Sequence, residues 1–216
     1  MKSYIVVGLG RFGASVALKL QELGHEVLVI DSSEELVHRF SNHVTYAVVG
    51  DARDEDVLRS LGAPSFDCAI VAIGTDLAAS VLVTLNLKAL GVPQVICKAQ
   101  NEMEKRALEK VGADRVVIPE WEMGRKLAQN LASSSVVDYI ALSEGCGISE
   151  LKTPKNWIGK NLRDLNVRAK YGVTVVALRK ADGDMTVFLG PDYALQEQDV
   201  LVLLGANEDL NRVQAL

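Results

Sequence analysis

Short apolar runs and helix-spaced apolar stripes alternate along the first half of the chain. Residues 4–7, 26–31, 45–49, 67–74, 94–99 and 115–118 are runs of the first kind, bounded by glycine, proline or polar residues. Between them lie stripes of period 3.6, of which Val16, Ala17, Leu20 and Leu23 are the first. The run at 67–74 is almost uniformly apolar, as a strand buried on both faces requires. Six such strands separated by helices predict an α/β fold with a doubly wound parallel sheet. The stripe at 77–90 is apolar nearly all round, which predicts burial on two sides, the second supplied by another subunit.

Beyond residue 119 the pattern changes. Pro119 and Glu120 open a predicted helix over 121–132, with Gly124, Leu127, Ala128 and Leu131 on one side. Serines 133–135 interrupt it, and Val136, Val137, Ile140 and Ala141 predict a second short helical stripe. Two helical pieces beyond a complete sheet read as a dimerisation arm, with a closing layer of the same subunit as the alternative. From Gly145 onward the pattern predicts strands at 148–153, 173–178, 185–189 and 199–204. A helix over 161–167 interrupts them, Asp182-Gly183 marks a hairpin turn, and a terminal helix starts at Asn207. The expected division is therefore 1–119, 120–144 and 145–216. A β-rich piece of roughly 70 residues has little core unless it pairs.

Composition narrows the function classes. A net charge of -5 argues against duplex nucleic acid as the main partner, which needs a basic face, and against plain electrostatic binding to an anionic membrane. Cys68, Cys97 and Cys146 are far apart and lack a C-x-x-C pair, so they read as reduced thiols rather than zinc ligands. Together with the lack of a signal-like start, they predict the cytoplasm. The most apolar stretch, 68–87, contains Asp76, Ser80, Thr84 and Asn86, which argues against insertion into a bilayer.

The candidate chemistry sits where the first run ends. Gly8, Gly10 and Gly13 stand at G-x-G-x-x-G spacing between a strand and a helix, with Leu9, Arg11 and Phe12 between them. Gly8 suits a tight turn, Gly10 a close backbone approach to a pyrophosphate, and Gly13 close packing of helix on strand. The helix start favours an anion. Asp31 ends the second strand, 18 residues beyond Gly13, where a carboxylate accepts from a ribose diol and repels a 2′-phosphate. It could equally cap the helix that begins after Ser32 and Ser33. Asp51 and Ala52 end the third strand on the side that faces an adenine, with a turn role for Asp51 as the alternative. Lys98 ends the fifth strand, within reach of phosphates or free in solvent.

A dehydrogenase is the first enzyme such a fold suggests, and the residues it needs are scarce. His25, His38 and His43 all fall in the first fifth of the chain, and none of the five tyrosines has a lysine four residues on. No G-x-x-x-x-G-K-[ST] loop is present for nucleotide hydrolysis. A ligand sensor, in which binding changes subunit packing, fits better than an enzyme. An NAD(H)-sensing regulator and an NAD-dependent oxidoreductase remain the alternatives.

Residues 8–13, Gly50-Asp51-Ala52 and Ala72-Ile73-Gly74 resemble the N-terminal domain of RCK (regulating conductance of potassium) proteins, and the run 164–174 resembles the C-terminal RCK domain of Ktr/Trk-type potassium-uptake regulators. The resemblance covers essentially the whole chain. It implies a Rossmann-like nucleotide-binding domain, a helical crossover segment over 121–142 and a small α+β C-terminal domain. It further implies homodimers that assemble into an octameric ring on an integral-membrane potassium-translocating subunit (KtrB/TrkH-like). ATP would activate and ADP inactivate, with NAD(H) bound in some relatives. Carried over, Arg11 would contact phosphate, Asp31 the ribose, Asp51 and Ala52 the adenine. Ile73, Gly74, Phe12 and Lys98 would lie near the nucleotide, and Glu120 would help hold a divalent cation or Na⁺ with ATP. Many relatives bind cyclic di-AMP between two C-terminal domains, at a place that Asn166 and Arg168 match; Arg168 also reads as an ordinary exposed cation.

Overall fold

The computed structural model describes residues 1–131, 136–143, 145–187 and 189–216. These divide into two units, Met1–Glu122 and Met123–Leu216. In the first unit the elements run β1 (Ser3–Val7), α1 (Arg11–Glu22), β2 (Glu26–Asp31), α2 (Glu34–Phe40), β3 (Tyr46–Val49) and α3 (Glu55–Ser60). They continue with β4 (Cys68–Val71), α4 (Leu77–Ala89), β5 (Gln94–Lys98), α5 (Glu102–Val111) and β6 (Arg115–Val117). The six strands form one parallel sheet in the order β3-β2-β1-β4-β5-β6. Successive residues of a strand point to opposite faces, so one sheet builds two cores. Ile5, Val7, Leu28 and Ile30 meet Leu87 of α4 and Leu108 of α5 on one side. Val6, Val27, Val29 and Ile70 meet Ala17 of α1 and Val37 of α2 on the other. The doubly wound sheet expected from the strand–helix alternation is present.

Helix α4 buries Ala79, Ser80, Val83, Thr84 and Leu87, while Leu82 and Leu85 remain 48% and 46% exposed. Among the described residues of the first unit, nothing covers this apolar outer face.

Helix α6 (Pro119–Leu131) follows the sheet. The second unit then contains β7 (Val136–Ala141), β8 (Cys146–Lys152), α7 (Leu162–Leu165), α8 (Val167–Tyr171), β9 (Thr174–Arg179), β10 (Met185–Thr186), β11 (Val200–Ala206) and α9 (Asn207–Gln214). Its strands form an antiparallel sheet in the order β10-β9-β11-β8-β7. Leu151, Leu178, Leu201 and Leu203 of the sheet bury against Trp157, Leu165, Leu210 and Val213. No helix among the described residues is long and apolar enough to cross a membrane.

Two expectations are corrected. The second helical stripe is strand β7, paired antiparallel with β8 from Ala141↔Gly147 to Val136↔Leu151. A six-residue run rich in β-branched and aromatic residues has no helical nucleus to speak of, and the ladder offered by β8 decides its state. Tyr139 of β7 lies over Gly147, where an added Cβ would come within 2.7 Å of its ring, and donates to Asn207 Oδ1 at 2.7 Å. The helix expected over 161–167 is two short pieces, because Asn166 adopts φ +45°. Asparagine tolerates that left-handed conformation better than other side chains. The serine break at 133–135 lies outside the described residues.

Burial sets the cysteine chemistry. Cys68 and Cys97 are 4% and 0% exposed, and Cys146 is half-buried. Burial pushes the Cys68 thiol up to about 11, and raises that of Cys97, whose sulfur lies 3.2 Å from Thr84 Oγ1. Since the thiolate is the reactive form, maleimide at neutral pH is expected to label Cys146 alone in the native chain, and all three after denaturation. Rapid native labelling of Cys68 or Cys97 would contradict this packing.

Candidate functional site

Sheet order reverses between β1 and β4, and the loops leaving their C-terminal ends part there. The result is a cleft of about 780 Å³ in the first unit, within the range of small-molecule sites. Its floor is the glycine loop. Gly8 has φ +94°, so the turn out of β1 favours glycine. Gly10 is the N-cap of α1 with φ −64° and ψ 179°, and a Cβ there would meet nothing within 4 Å. Gly13 lies beneath the loop: a Cβ on it would come 1.9 Å from the Gly8 carbonyl oxygen and 2.9 Å from Ala72 Cβ. Gly13 therefore holds the helix against the loop, and Gly8, Gly10, Arg11 and Phe12 line the cleft.

Asp31 joins the second strand to this loop. Its Oδ2 accepts from Leu9 N–H at 2.6 Å and its Oδ1 from Ser33 N–H at 2.8 Å. The cap of α2 is Ser33, whose hydroxyl accepts from Leu36 N–H, so the capping alternative for Asp31 is not realised. One carboxylate thus braces the glycine loop while lining the cleft.

Asp51 accepts from the backbone N–H of Arg53 and from its guanidinium, Nε at 2.9 Å and Nη2 at 2.6 Å. That partnership holds the Asp51 carboxyl below the usual carboxylate range. The turn role and a place in the cleft wall are therefore combined at Asp51. Ala52 beside it is buried, and Asp54 caps α3. Ile73 and Gly74, which follow β4 beside Gly8, also line the cleft.

Lys98 is not a solvated strand-end lysine. Its side chain is 12% exposed and its Nζ lies 2.8 Å from Glu120 Oε1. The bond from Lys98, with the charge of Arg11 adding to it, keeps the Glu120 carboxyl below its ordinary value. Arg11, Lys98 and Glu120 thus gather at one part of the cleft although they are scattered over 110 positions. No group of three or more potential metal ligands exists among the described residues. A cation at Glu120 would need the oxygens of a bound phosphate to complete its shell, as Mg²⁺ sites commonly do.

Asn166 and Arg168 belong to the second unit, and neither lines this cleft. Asn166 joins α7 to α8, and both side chains are exposed. Sequence reasoning placed neither Arg53 nor Asp76 in the site. Asp76 lines the cleft and caps α4 through Ala79 N–H at 2.9 Å. Capping was legible for Asp76, whereas no motif singled out Arg53.

Strand order, glycine-loop geometry and the cleft at the switch point define a Rossmann-like nucleotide-binding fold, followed by a small antiparallel α+β unit. Residues 4–119 match the TrkA-N domain and residues 148–216 the TrkA-C domain. The chain belongs to the TrkA family, and it carries both of the family's domains in that order. It is 44% identical over 213 residues to Ktr system potassium uptake protein A of Bacillus subtilis (strain 168), covering 99% of this chain and 96% of that protein. It is 32% identical over 218 residues to Ktr system potassium uptake protein A of Vibrio alginolyticus, covering 100% and 98%. Among solved structures, the GsuK RCK domain superimposes with a TM-score of 0.70 at 20% identity, and the GsuK channel bound to NAD with 0.69 at 19%. Those matches cover this whole chain but 47% and 39% of the GsuK chains, and at such identity they show a shared fold.

Proposed function

We propose that this chain is a non-enzymatic, nucleotide-sensing regulatory subunit of a potassium-uptake system. It acts in the cytoplasm on a separate integral-membrane translocating subunit, as homodimers gathered into an octameric ring. Kinship over the whole length to Ktr potassium-uptake proteins supports the setting. The observation that carries the sensing role is the cluster of Arg11, Lys98 and Glu120 on one cleft. ATP and ADP differ by one charged phosphate, so only contacts that feel that phosphate shift the subunit between states. Arg11 and Lys98 attract it, and Glu120 either yields Lys98 to it or shares a cation with it. The charged cleft lining counts three bases (Arg11, Arg53, Lys98) against four acids (Asp31, Asp51, Asp76, Glu120). A triphosphate entering that field gains from an accompanying Mg²⁺, Ca²⁺ or Na⁺. In this reading ATP favours the active ring and ADP the inactive one. The open face of α4 and the exposed Trp121, Leu127 and Leu131 of α6 are the surfaces that subunits would bury. Cyclic di-AMP at Asn166 and Arg168 would act separately, through the second unit.

Thermal melting with ATP, ADP, NADH, NADPH and cyclic di-AMP, with and without divalent cation, tests this reading. A ligand that binds only the folded state at 100 times its Kd adds about 2.7 kcal/mol and raises the melting temperature. ATP and ADP are expected to stabilise, and the ATP shift to grow with cation. Arg11→Ala should shrink the ATP–ADP difference, and Glu120→Gln should remove the cation dependence. Because Asp31 suits the diol of NADH as well as that of ATP, stabilisation by NADH alone would replace this reading with an NAD(H) sensor.

A further inference from the structure

We propose that Arg53 recognises the base of the bound nucleotide by stacking, with Asp51 as the residue that sets its plane. The inference rests on the nucleotide reading of the cleft. Arg53 follows β3 in the loop Gly50-Asp51-Ala52-Arg53 and lines the cleft. One edge of its guanidinium, Nε and Nη2, is taken by the Asp51 carboxylate. The loop is tied down from both ends. Asp51 also accepts from Arg53 N–H, and Asn86 of α4 donates to the Arg53 carbonyl at 2.9 Å. Gly50 fits between Ile30 and Val57, where a Cβ would meet both at 3.2 Å.

What Asp51 leaves available decides the role. Its carboxylate neutralises the cation, and Asp76 is a further acid close enough to act on it electrostatically. Arg53 is therefore a poor phosphate anchor, a task that Arg11 and Lys98 are placed to perform. The in-plane bonds do not cover the flat faces, and the side chain is 54% exposed. A planar guanidinium held edge-on by a carboxylate is a platform for an aromatic ring. Purines present the larger ring, so stacking favours ATP over CTP and adds nothing for a ligand without a base.

The experiment is calorimetric titration of the full chain with ATP, ADP, CTP and inorganic triphosphate. For Arg53→Ala, ATP and ADP affinity should fall about tenfold, triphosphate affinity should hold, and the ATP–CTP difference should narrow. Arg53→Lys keeps the charge and loses the plane, so it should behave like the alanine variant. Asp51→Asn should weaken ATP less than Arg53→Ala does, and triphosphate affinity should not fall, because a negative charge leaves the cleft and Arg53 is less neutralised. Equal loss for ATP and triphosphate, restoration by lysine, or unchanged ATP affinity in Arg53→Ala would each overturn the stacking role. Wild-type protein that binds no nucleotide would overturn the reading beneath it, a result distinguishable from all of these.

Discussion

Gly13→Ala is expected to lower the melting temperature by on the order of 10 °C and to abolish nucleotide binding. The new Cβ would stand 1.9 Å from a backbone oxygen, that of Gly8, and 2.9 Å from Ala72 Cβ. Neither neighbour is the end of a flexible side chain, so loop and helix must move apart. Alanine gains about 1 kcal/mol of helix propensity over glycine in α1, and overpacking of this kind costs about 3 kcal/mol, so the clash wins. Gly10→Ala supplies the contrast. Its backbone already has dihedrals that any residue adopts, and a Cβ there meets no protein atom. The melting temperature of that variant should stay near wild type, while nucleotide affinity falls roughly 100-fold, because the methyl occupies the path of the pyrophosphate. Thermal denaturation alongside nucleotide titration separates the two roles. If Gly13→Ala melted like wild type, the close contact beneath the loop would be wrong. If Gly10→Ala bound nucleotide normally, the phosphate position would be wrong.

Asp31→Ala should lose both stability and affinity. The side chain satisfies Leu9 N–H and Ser33 N–H, and leaving partly buried donors without an acceptor costs about 1–3 kcal/mol. Hydrogen bonds from a ribose diol to a carboxylate are of the charge-assisted kind, and losing them together with the loop brace lowers ATP and ADP affinity roughly 100-fold or more. Asp31→Asn keeps an acceptor without the charge and should fall between. Both variants should discriminate less against a 2′-phosphate, so the ratio of NADH to NADPH affinity narrows. Stability from urea unfolding and affinity from titration are measured on the same samples. Native-like ATP affinity in a folded Asp31→Ala protein would remove this residue from the site.

Much of the first unit was legible because its signals are local. Asp67 to Gly74 reads as a buried strand from composition alone, and Gly8, Gly10 and Gly13 differ in role by their positions around one turn. The site was legible only in outline. Asp51 suggested either a turn or a place facing the adenine; the structure has the turn and puts Asp51 and Arg53 in the cleft lining. Lys98 read as either a phosphate contact or a solvated strand-end lysine, and the sequence did not pair it with Glu120, 22 residues on. Neither ion pair has a sequence signature, because oppositely charged residues at arbitrary separations are common in any soluble chain.

The amino-acid sequence by itself determined the alternation of strands and helices, the nucleotide-type loop and the change of architecture near residue 119. Each of these follows from periodicity or from the conformational range of glycine, which neighbours in sequence express. Tertiary structure alone decided that residues 136–141 form a strand, since a short apolar run takes the state of the ladder it joins. It alone decided that Asp31 braces the loop rather than caps a helix, and that Arg11, Lys98 and Glu120 face one cleft. Those outcomes depend on which strand ends the parallel sheet brings side by side, a matter of strand order that no local pattern encodes.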